Sequence, residues 1–259
     1  MIAGLVRLCP TDAVDGPLFK QVLDRLGDCT DALFVFAHNT PDKDERLKLA
    51  EAHPKMQHID RFDGKAHWHP ETLDLAFRVL DVVRPDFVVY PDSDEILPDK
   101  FQEDFDVFRQ SNCEGLQRMA MRFNYVVTWG DTNHILGDNW YYHFAHTKAC
   151  KWMTNLRFLP WAGYRGFCCP QMYTYNPQYR SEYAIRHISW TTPEMRDQRR
   201  KNRKDGRADN EQQFLDVAES EVRAIPYDPA MTWKQFEKQA EPFGKFKKRF
   251  EAGEVKKRG

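Results

Sequence analysis

An acidic cluster directly follows an apolar run in the first half of the chain. Residues 87–90 have the pattern of a buried strand, and Asp92, Ser93, Asp94 and Glu95 come after one intervening proline. Alternate residues in an extended chain point the same way, so Asp92 and Asp94 direct two carboxylates toward one place. Carboxylate oxygens suit Mg²⁺ and Mn²⁺. The spacing therefore predicts a divalent-metal site, with Mn²⁺ or Mg²⁺ able to neutralise a bound diphosphate.

The elements that must position this cluster alternate between short apolar runs and segments of helical periodicity. Strands are predicted at residues 2–8, 32–37, 56–59 and 86–90, and helices at residues 17–26 and 70–83. Such alternation is typical of βαβ units, which form a mainly parallel sheet with helices on both faces. Ligands of open α/β sheets bind beyond the carboxyl ends of the strands, and the acidic cluster lies at such an end.

The character of the chain changes after the acidic cluster. Residues 99–111 read as a helix and residues 116–129 as a long β-prone stretch. Residues 129–190 are rich in aromatic residues, glycine and proline, a composition that serves either a binding surface or a core. A polar helix is predicted to begin at Thr192, the N-cap, followed by Pro193.

Length and composition favour one large α/β domain with an appendage. The chain has 259 residues, of which 41% are hydrophobic, and its formal net charge is -1. We predict a domain at residues 1–205, made of a first half (1–98) and a second half (99–191). Residues 206–259 would form a C-terminal helical extension.

The cysteines and the N-terminus bear on where the protein works. Six cysteines lack the spacing of a zinc site and the density of a disulfide scaffold, and the adjacent pair Cys168 and Cys169 rarely chelates an ion alone. The first apolar run is too short for a signal-peptide core, and no segment approaches a spanning helix. We therefore expect a cytoplasmic protein with reduced thiols.

Three segments together resemble the GT-A glycosyltransferases, in particular the family 2-like group. They are the opening strand at residues 4–8, the second strand with its following loop at residues 34–42, and the DXD-containing segment at residues 90–95. The resemblance implies a GT-A (Rossmann-like) fold, with a nucleotide-binding half (1–98) and an acceptor half (99–191), and an enzyme of the hexosyltransferase kind. Such an enzyme moves a sugar from a UDP- or GDP-sugar to a hydroxyl of a saccharide or a modified nucleic acid, usually with inversion.

Sheet topology and the resemblance together imply where the donor nucleotide lies. It would cross the ends of the first, second and fourth strands, touching Cys9, Pro10 and Asn39, with Lys65 near the phosphates and Ser93 inside the acidic motif. The family usually carries acidic residues directly after the second strand. This chain departs from that pattern, because alanine and histidine occupy the two positions before the asparagine.

A fourth similarity lies at residues 185–190, which end in His187-Ile-Ser-Trp190. Related enzymes often carry a His-x-x-Trp/Tyr element there. By that resemblance His187 supplies a third metal ligand or a diphosphate contact, and neutral imidazole is a suitable ligand for Mn²⁺.

Inverting transfer implies a carboxylate that deprotonates the acceptor hydroxyl. Asp131, Asp138 and Glu182 lie in the aromatic half, and Glu95 lies beside the metal motif. Asp131 is favoured because it sits in a turn after the long predicted strand, two residues from Trp129, whose ring could stack on a sugar.

Two other functions compete with this reading. A haloacid-dehalogenase-like phosphohydrolase also places Asp-x-Asp at a strand end and uses Mg²⁺. That family, however, has Thr or Val at the position of Ile96, and its later paired-acid motif is missing from this chain. Alternatively, basic helices at residues 196–207 and 245–258 would contact nucleic acid or another polyanion. Solvated helix faces are the commoner explanation of such charge, and the patch could also guide a charged acceptor.

Overall fold

The computed structural model describes most of the chain. The described residues are 1–9, 14–64, 69–113, 118–137, 145–158, 169–173, 177–188, 190–202, 222–240, 245, 248–249 and 252–254. The strands are β1 (Ile2–Leu8), β2 (Ala32–His38), β3 (Met56–Phe62), β4 (Phe87–Val89), β5 (Glu95–Ile96), β6 (Ala120–Trp129), β7 (Asp131–Leu136), β8 (His146–Lys151), β9 (Tyr179–His187) and β10 (Ala224–Pro226). The helices are α1 (Gly16–Cys29), α2 (Glu45–Glu51), α3 (His69–Arg78), α4 (Leu80–Val83), α5 (Phe101–Cys113), α6 (Pro193–Asn202) and α7 (Trp233–Gln239), with a 3₁₀ turn at Gln171–Tyr173.

One mixed sheet organises these elements. Its strand order is β10-β7-β6-β8-β4-β1-β2-β3, while β9 pairs with both β5 and β6. Strands β1 to β4 are mutually parallel, as the βαβ alternation predicts, whereas β8 is antiparallel to β4 and to β6. The predicted α/β class is confirmed, with a parallel first half of the sheet and a mixed second half.

Helices cover both faces of the parallel strands because successive side chains point to opposite sides. Val6 and Leu8 belong to the core that includes α1, α2 and α5, and Ala3 and Leu5 belong to the core that includes α3 and α4. The carboxylate of Asp15 caps α1 by accepting from the backbone N–H of Leu18 at 2.9 Å. The carboxyl ends of the parallel strands β1, β2 and β4 lie at one edge of the sheet.

Most predicted elements are present, with differences at their ends. The strand predicted at 56–59 extends to Phe62, and the helix predicted at 70–83 is divided into α3 and α4 by a turn at Val79. Helix α2 was not predicted, because charged residues dominate its sequence and leave only Leu47 and Ala50 as buried apolar contacts.

The described part of the C-terminal segment joins the main core. Strand β10 pairs with β7, and the side chains of Trp233 and Phe236 on α7 are buried in the same core as α1. The domain boundary at residue 205 falls in a stretch that lies outside the described residues, so it stays a prediction. Within the described ranges, no helix combines the length and apolarity needed to cross a bilayer.

Truncation of Phe105 should test the core beneath the second half of the sheet. This ring is fully buried and packs on Phe87, Phe101 and Phe108. Phe105→Ala is expected to lower the free energy of unfolding by about 3–5 kcal/mol, measured by urea denaturation. Val107→Ala on the exposed side of the same helix should change it by less than about 0.5 kcal/mol. Equal effects of the two variants would contradict the orientation of α5.

Candidate functional site

Strand pairing brings Asp94 and His187 together. Strand β5 runs antiparallel to β9 with Glu95 opposite His187, and the backbone N–H of Ile188 donates to the carbonyl of Asp94 at 2.8 Å. Oδ2 of Asp94 lies 3.2 Å from Nε2 of His187, and both side chains are largely buried. A carboxylate and an imidazole far apart in sequence therefore meet beside the acidic motif.

The position of His187 is also fixed from its other side. Strand β9 lies parallel to β6 with Val127 opposite His187, and Oγ1 of Thr128 donates to the His187 carbonyl at 3.4 Å. The ring of Tyr125 meets the imidazole edge-on, with centroids 6.0 Å apart. The imidazole is thus held by three strands rather than by a loop.

Two cations hold the carboxylate of Asp92. Arg7 on β1 forms an ion pair with Oδ1, and Nζ of Lys148 on β8 lies 2.6 Å from Oδ2. Arg7 also donates to the hydroxyl of Thr72 at 2.6 Å. Both cationic side chains are buried, so these ion pairs are shielded from solvent.

Glu95 is the innermost carboxylate of the motif, with 3% of the residue exposed. Its Oε2 accepts from the backbone N–H of Asp92 and faces Nζ of Lys148, each at 2.8 Å, and its Oε1 accepts from the hydroxyl of Tyr125 at 2.8 Å. Burial raises the pKa of Glu95 to about 8; Lys148 opposes the rise, and the charges of Asp92 and Asp94 add to it. These contacts favour a positioning role over direct contact with an acceptor.

The chemistry of the Asp94 and His187 donors fits a divalent ion that also binds phosphate. Adjacent ligands of an octahedral ion at about 2.1 Å stand about 3 Å apart, close to the observed 3.2 Å between these atoms. Among the described residues, no group of three His, Cys, Asp or Glu side chains is arranged to hold a metal. Two protein ligands suffice where phosphate oxygens and water complete the sphere, and Mn²⁺ accepts imidazole as well as carboxylate.

Some of the residues predicted to touch the donor nucleotide belong to the described part of the structure. Cys9 follows β1, and its carbonyl accepts from Arg46 at 3.3 Å, while Ser93 is buried inside the acidic turn. Asn39 follows β2, and its amide pairs with both backbone groups of Gly64, at 2.9 and 3.0 Å. That amide therefore ties the ends of β2 and β3 together. Pro10 and Lys65 lie outside the described residues.

Asp131 lies at the same end of the sheet as His187. It follows β6 and pairs with Trp129, two residues beyond Val127, the partner of His187. Its side chain is 54% exposed, and the ring Nδ1 of His134 lies 2.9 Å from Oδ1 and 3.0 Å from Oδ2. The hydrogen bond with His134 is the main cause that lowers the pKa of Asp131.

The other two carboxylates of the aromatic half are placed differently. Glu182 is exposed and lies five positions before His187 on the same strand, within the register shift of β9 against β6. Asp138 lies outside the described residues. Glu182 therefore lies away from the strand end that carries His187, whereas Asp131 lies beyond the neighbouring end of β6.

Arg196 belongs to the core rather than to a basic surface. It is buried, donates to the carbonyls of Trp190 and Thr191 at 2.7 and 3.2 Å, and stacks at 4.1 Å over the ring of Trp129. One of the basic residues predicted to form a charged helix face is thus structural, and one face of the Trp129 ring is covered. Residues 203–207 of that segment lie outside the described part of the chain.

Sequence reasoning missed three residues of the site: Arg7, Tyr125 and Lys148. A usable signal existed for Arg7, because it interrupts an otherwise apolar run, whereas Lys148 lies in a stretch with other polar residues. A buried charge needs a partner of opposite charge, and the carboxylates of the acidic motif are the candidates. Tyr125 gave no such signal, since tyrosine is ordinary core material.

Comparison with known proteins gives structural similarity without sequence similarity. No family model and no curated protein matches the chain. A crystal structure of S. aureus TarS 1-349 has a TM-score of 0.46 at 12% identity, over 77% of this chain and 63% of that one. Glucosyl-3-phosphoglycerate synthase from Mycobacterium tuberculosis, solved with Mn²⁺, UDP and phosphoglyceric acid, has a TM-score of 0.35 at 18% identity, over 48% and 43%.

A nucleotidyltransferase-type structure is similar to the same degree. The 4-diphosphocytidyl-2C-methyl-D-erythritol synthase from Anaerococcus prevotii has a TM-score of 0.37 at 13% identity, over 58% of this chain and 70% of that one. The chain spans about a third to two thirds of the length of the TarS structures. Similarity at these values concerns the fold alone.

Proposed function

We propose that this chain is a metal-dependent glycosyltransferase that moves a sugar from a UDP- or GDP-sugar to a hydroxyl acceptor, with inversion. The observation that carries the proposal is the pairing of Asp94 with His187, 3.2 Å apart, directly beyond the carboxyl end of β4. This edge of a parallel sheet is where nucleotides bind in open α/β folds.

In this proposal Asp94 and His187 hold the metal, and Asp92 completes the acidic motif from its pairs with Arg7 and Lys148. A bound Mn²⁺ or Mg²⁺ neutralises the diphosphate and so makes it a better leaving group. The protein itself orients the two donors through backbone pairing of β5 with β9. Orientation before binding lowers the ordering cost of holding the donor.

The donor nucleotide would lie across the ends of β1, β2 and β4. Cys9 and the backbone at Asn39 border this surface, with Pro10, Ser93 and Lys65 as further donor contacts carried from the sequence. Because the Asn39 amide is occupied by Gly64, we assign its contact with the nucleotide to the backbone of that turn.

Asp131 would act as the base that deprotonates the acceptor hydroxyl. His134 holds the carboxylate in one orientation, and the lowered pKa of Asp131 keeps it ionised at neutral pH, although it also makes the carboxylate a weaker base. The attack then proceeds in a single displacement with inversion at the anomeric carbon. The acceptor would be a saccharide or a modified nucleic acid.

A thermal-shift series tests the proposal without knowledge of the acceptor. UDP and GDP, each with and without Mn²⁺, are titrated against the protein. At about 100 times Kd, one of them with Mn²⁺ should raise Tm by roughly 5–10 °C, because ligand binding to the native state stabilises it. The same nucleotide in chelator should give a much smaller shift. A protein whose Tm is unmoved by any Mn²⁺–nucleotide pair would contradict the proposal.

A further inference from the structure

Lys148 contacts both ends of the acidic turn. Its Nζ lies 2.6 Å from Oδ2 of Asp92 and 2.8 Å from Oε2 of Glu95, and 2% of its side chain is exposed. The same Oε2 accepts from the backbone N–H of Asp92 at 2.8 Å. One ammonium thereby closes the turn that contains Asp94.

The two oxygens of Asp92 are both engaged by cations from neighbouring strands. Arg7 pairs with Oδ1 from β1, and Lys148 pairs with Oδ2 from β8. Strand β4 lies between those two strands in the sheet, so the pairs anchor the segment after β4 on both sides. Asp94 has a different setting, because its backbone carbonyl and its carboxylate both contact β9 and the residue after it.

We infer that Lys148 is a positioning residue that holds the Asp92–Glu95 turn so that the carboxylate of Asp94 and the imidazole of His187 face one divalent cation. This inference rests on the proposed function and deepens it: Asp92 and Lys148 act as one clamp, and Asp94 and His187 contact the ion. Without the ammonium, Oδ2 of Asp92 and Oε2 of Glu95 lose the cation that joins them, and the turn loses its side-chain link to β8.

The test measures Mn²⁺ affinity in the presence of saturating UDP or GDP, whichever stabilises the wild type, by the electron paramagnetic resonance signal of free Mn²⁺. Lys148→Met is expected to weaken Mn²⁺ binding about 10- to 100-fold. Lys151→Met removes an exposed lysine from the same strand and should leave the affinity unchanged. Circular dichroism and the Tm of each variant show whether it is folded.

A double-mutant cycle guards against a variant that fails to fold. Asp92→Asn/Lys148→Met removes both charges of this ion pair, while Arg7 and Glu95 each lose one charged partner. The cycle compares the double variant with Asp92→Asn and Lys148→Met alone. If the two residues act as one clamp, the double variant binds Mn²⁺ no more weakly than the single variant with the lower Mn²⁺ affinity. Losses that multiply in the double variant would show that Asp92 acts independently of Lys148 and would overturn the inference.

The remaining outcomes separate the inference from the function on which it rests. A wild type that does not bind Mn²⁺ with either nucleotide overturns both. A wild type that binds Mn²⁺, together with a folded Lys148→Met or double variant of unchanged affinity, overturns only the inference. A lowered Tm with unchanged affinity is the signature of a merely structural lysine and counts against it in the same way.

Discussion

Asp94→Asn is expected to abolish Mn²⁺-dependent binding of the nucleotide, with a loss on the order of 100-fold or more in Mn²⁺ affinity. The substitution keeps the size of the side chain. It also leaves the backbone carbonyl of residue 94, which accepts from the Ile188 N–H at 2.8 Å, so the turn should keep its conformation. It removes the negative charge beside His187 that a divalent ion requires. Calorimetric titration of Mn²⁺ and UDP or GDP measures the effect.

Asp106→Asn is the matched control for this prediction. Asp106 is half-exposed on α5, where its partners are Gln102 and Arg109 on the same helix. This variant should bind Mn²⁺ and nucleotide as the wild type does. Asp94→Asn with wild-type affinity and an intact fold would remove Asp94 from the metal site.

Asp131→Asn should lower kcat about 10²- to 10⁴-fold while leaving donor affinity nearly intact. The asparagine retains the shape of the turn but cannot take the proton of the acceptor hydroxyl. The effect should therefore fall on the transition state and not on the ground state. Initial rates with varied donor, together with donor titration of the same variant, separate the two.

Glu182→Gln supplies the comparison for the base. Its side chain is exposed and lies five positions before His187 on β9, so its loss should leave turnover unchanged. If Asp131→Asn keeps full activity while Glu182→Gln or Asp138→Asn loses it, the base is one of those residues. If all three variants remain active, the single-displacement mechanism is contradicted.

Local sequence patterns could predict the half of the fold that is built from βαβ units. Strands β1, β2 and β4 are apolar over nearly their whole length because both sheet faces are covered, and α1 carries a clear apolar stripe. Their order along the chain also fixes which ends meet, so the place of the acidic motif followed from topology.

Pairing between distant strands could not be predicted in the same way. Strand β8 inserts between β4 and β6, and this out-of-order position is what brings Lys148 to Asp92. Hydrophobic periodicity says which face of a strand is buried but not which strand lies beside it. His187 could be predicted as a site residue only through the family resemblance. Its position depends on the pairing of β5 with β9, in which Glu95 lies opposite His187, and these two residues are far apart in the chain.

In the proposed function, Asp94 and His187 hold a metal ion together with a nucleoside diphosphate. Pulsed electron paramagnetic resonance of the protein with Mn²⁺ and its preferred nucleotide tests this directly. We expect a nitrogen coupling from an imidazole ligand, lost in His187→Ala, and a phosphorus coupling from the diphosphate in the same complex. A bound Mn²⁺ whose spectrum shows the phosphorus coupling but no nitrogen coupling, and does not change in His187→Ala, would contradict it.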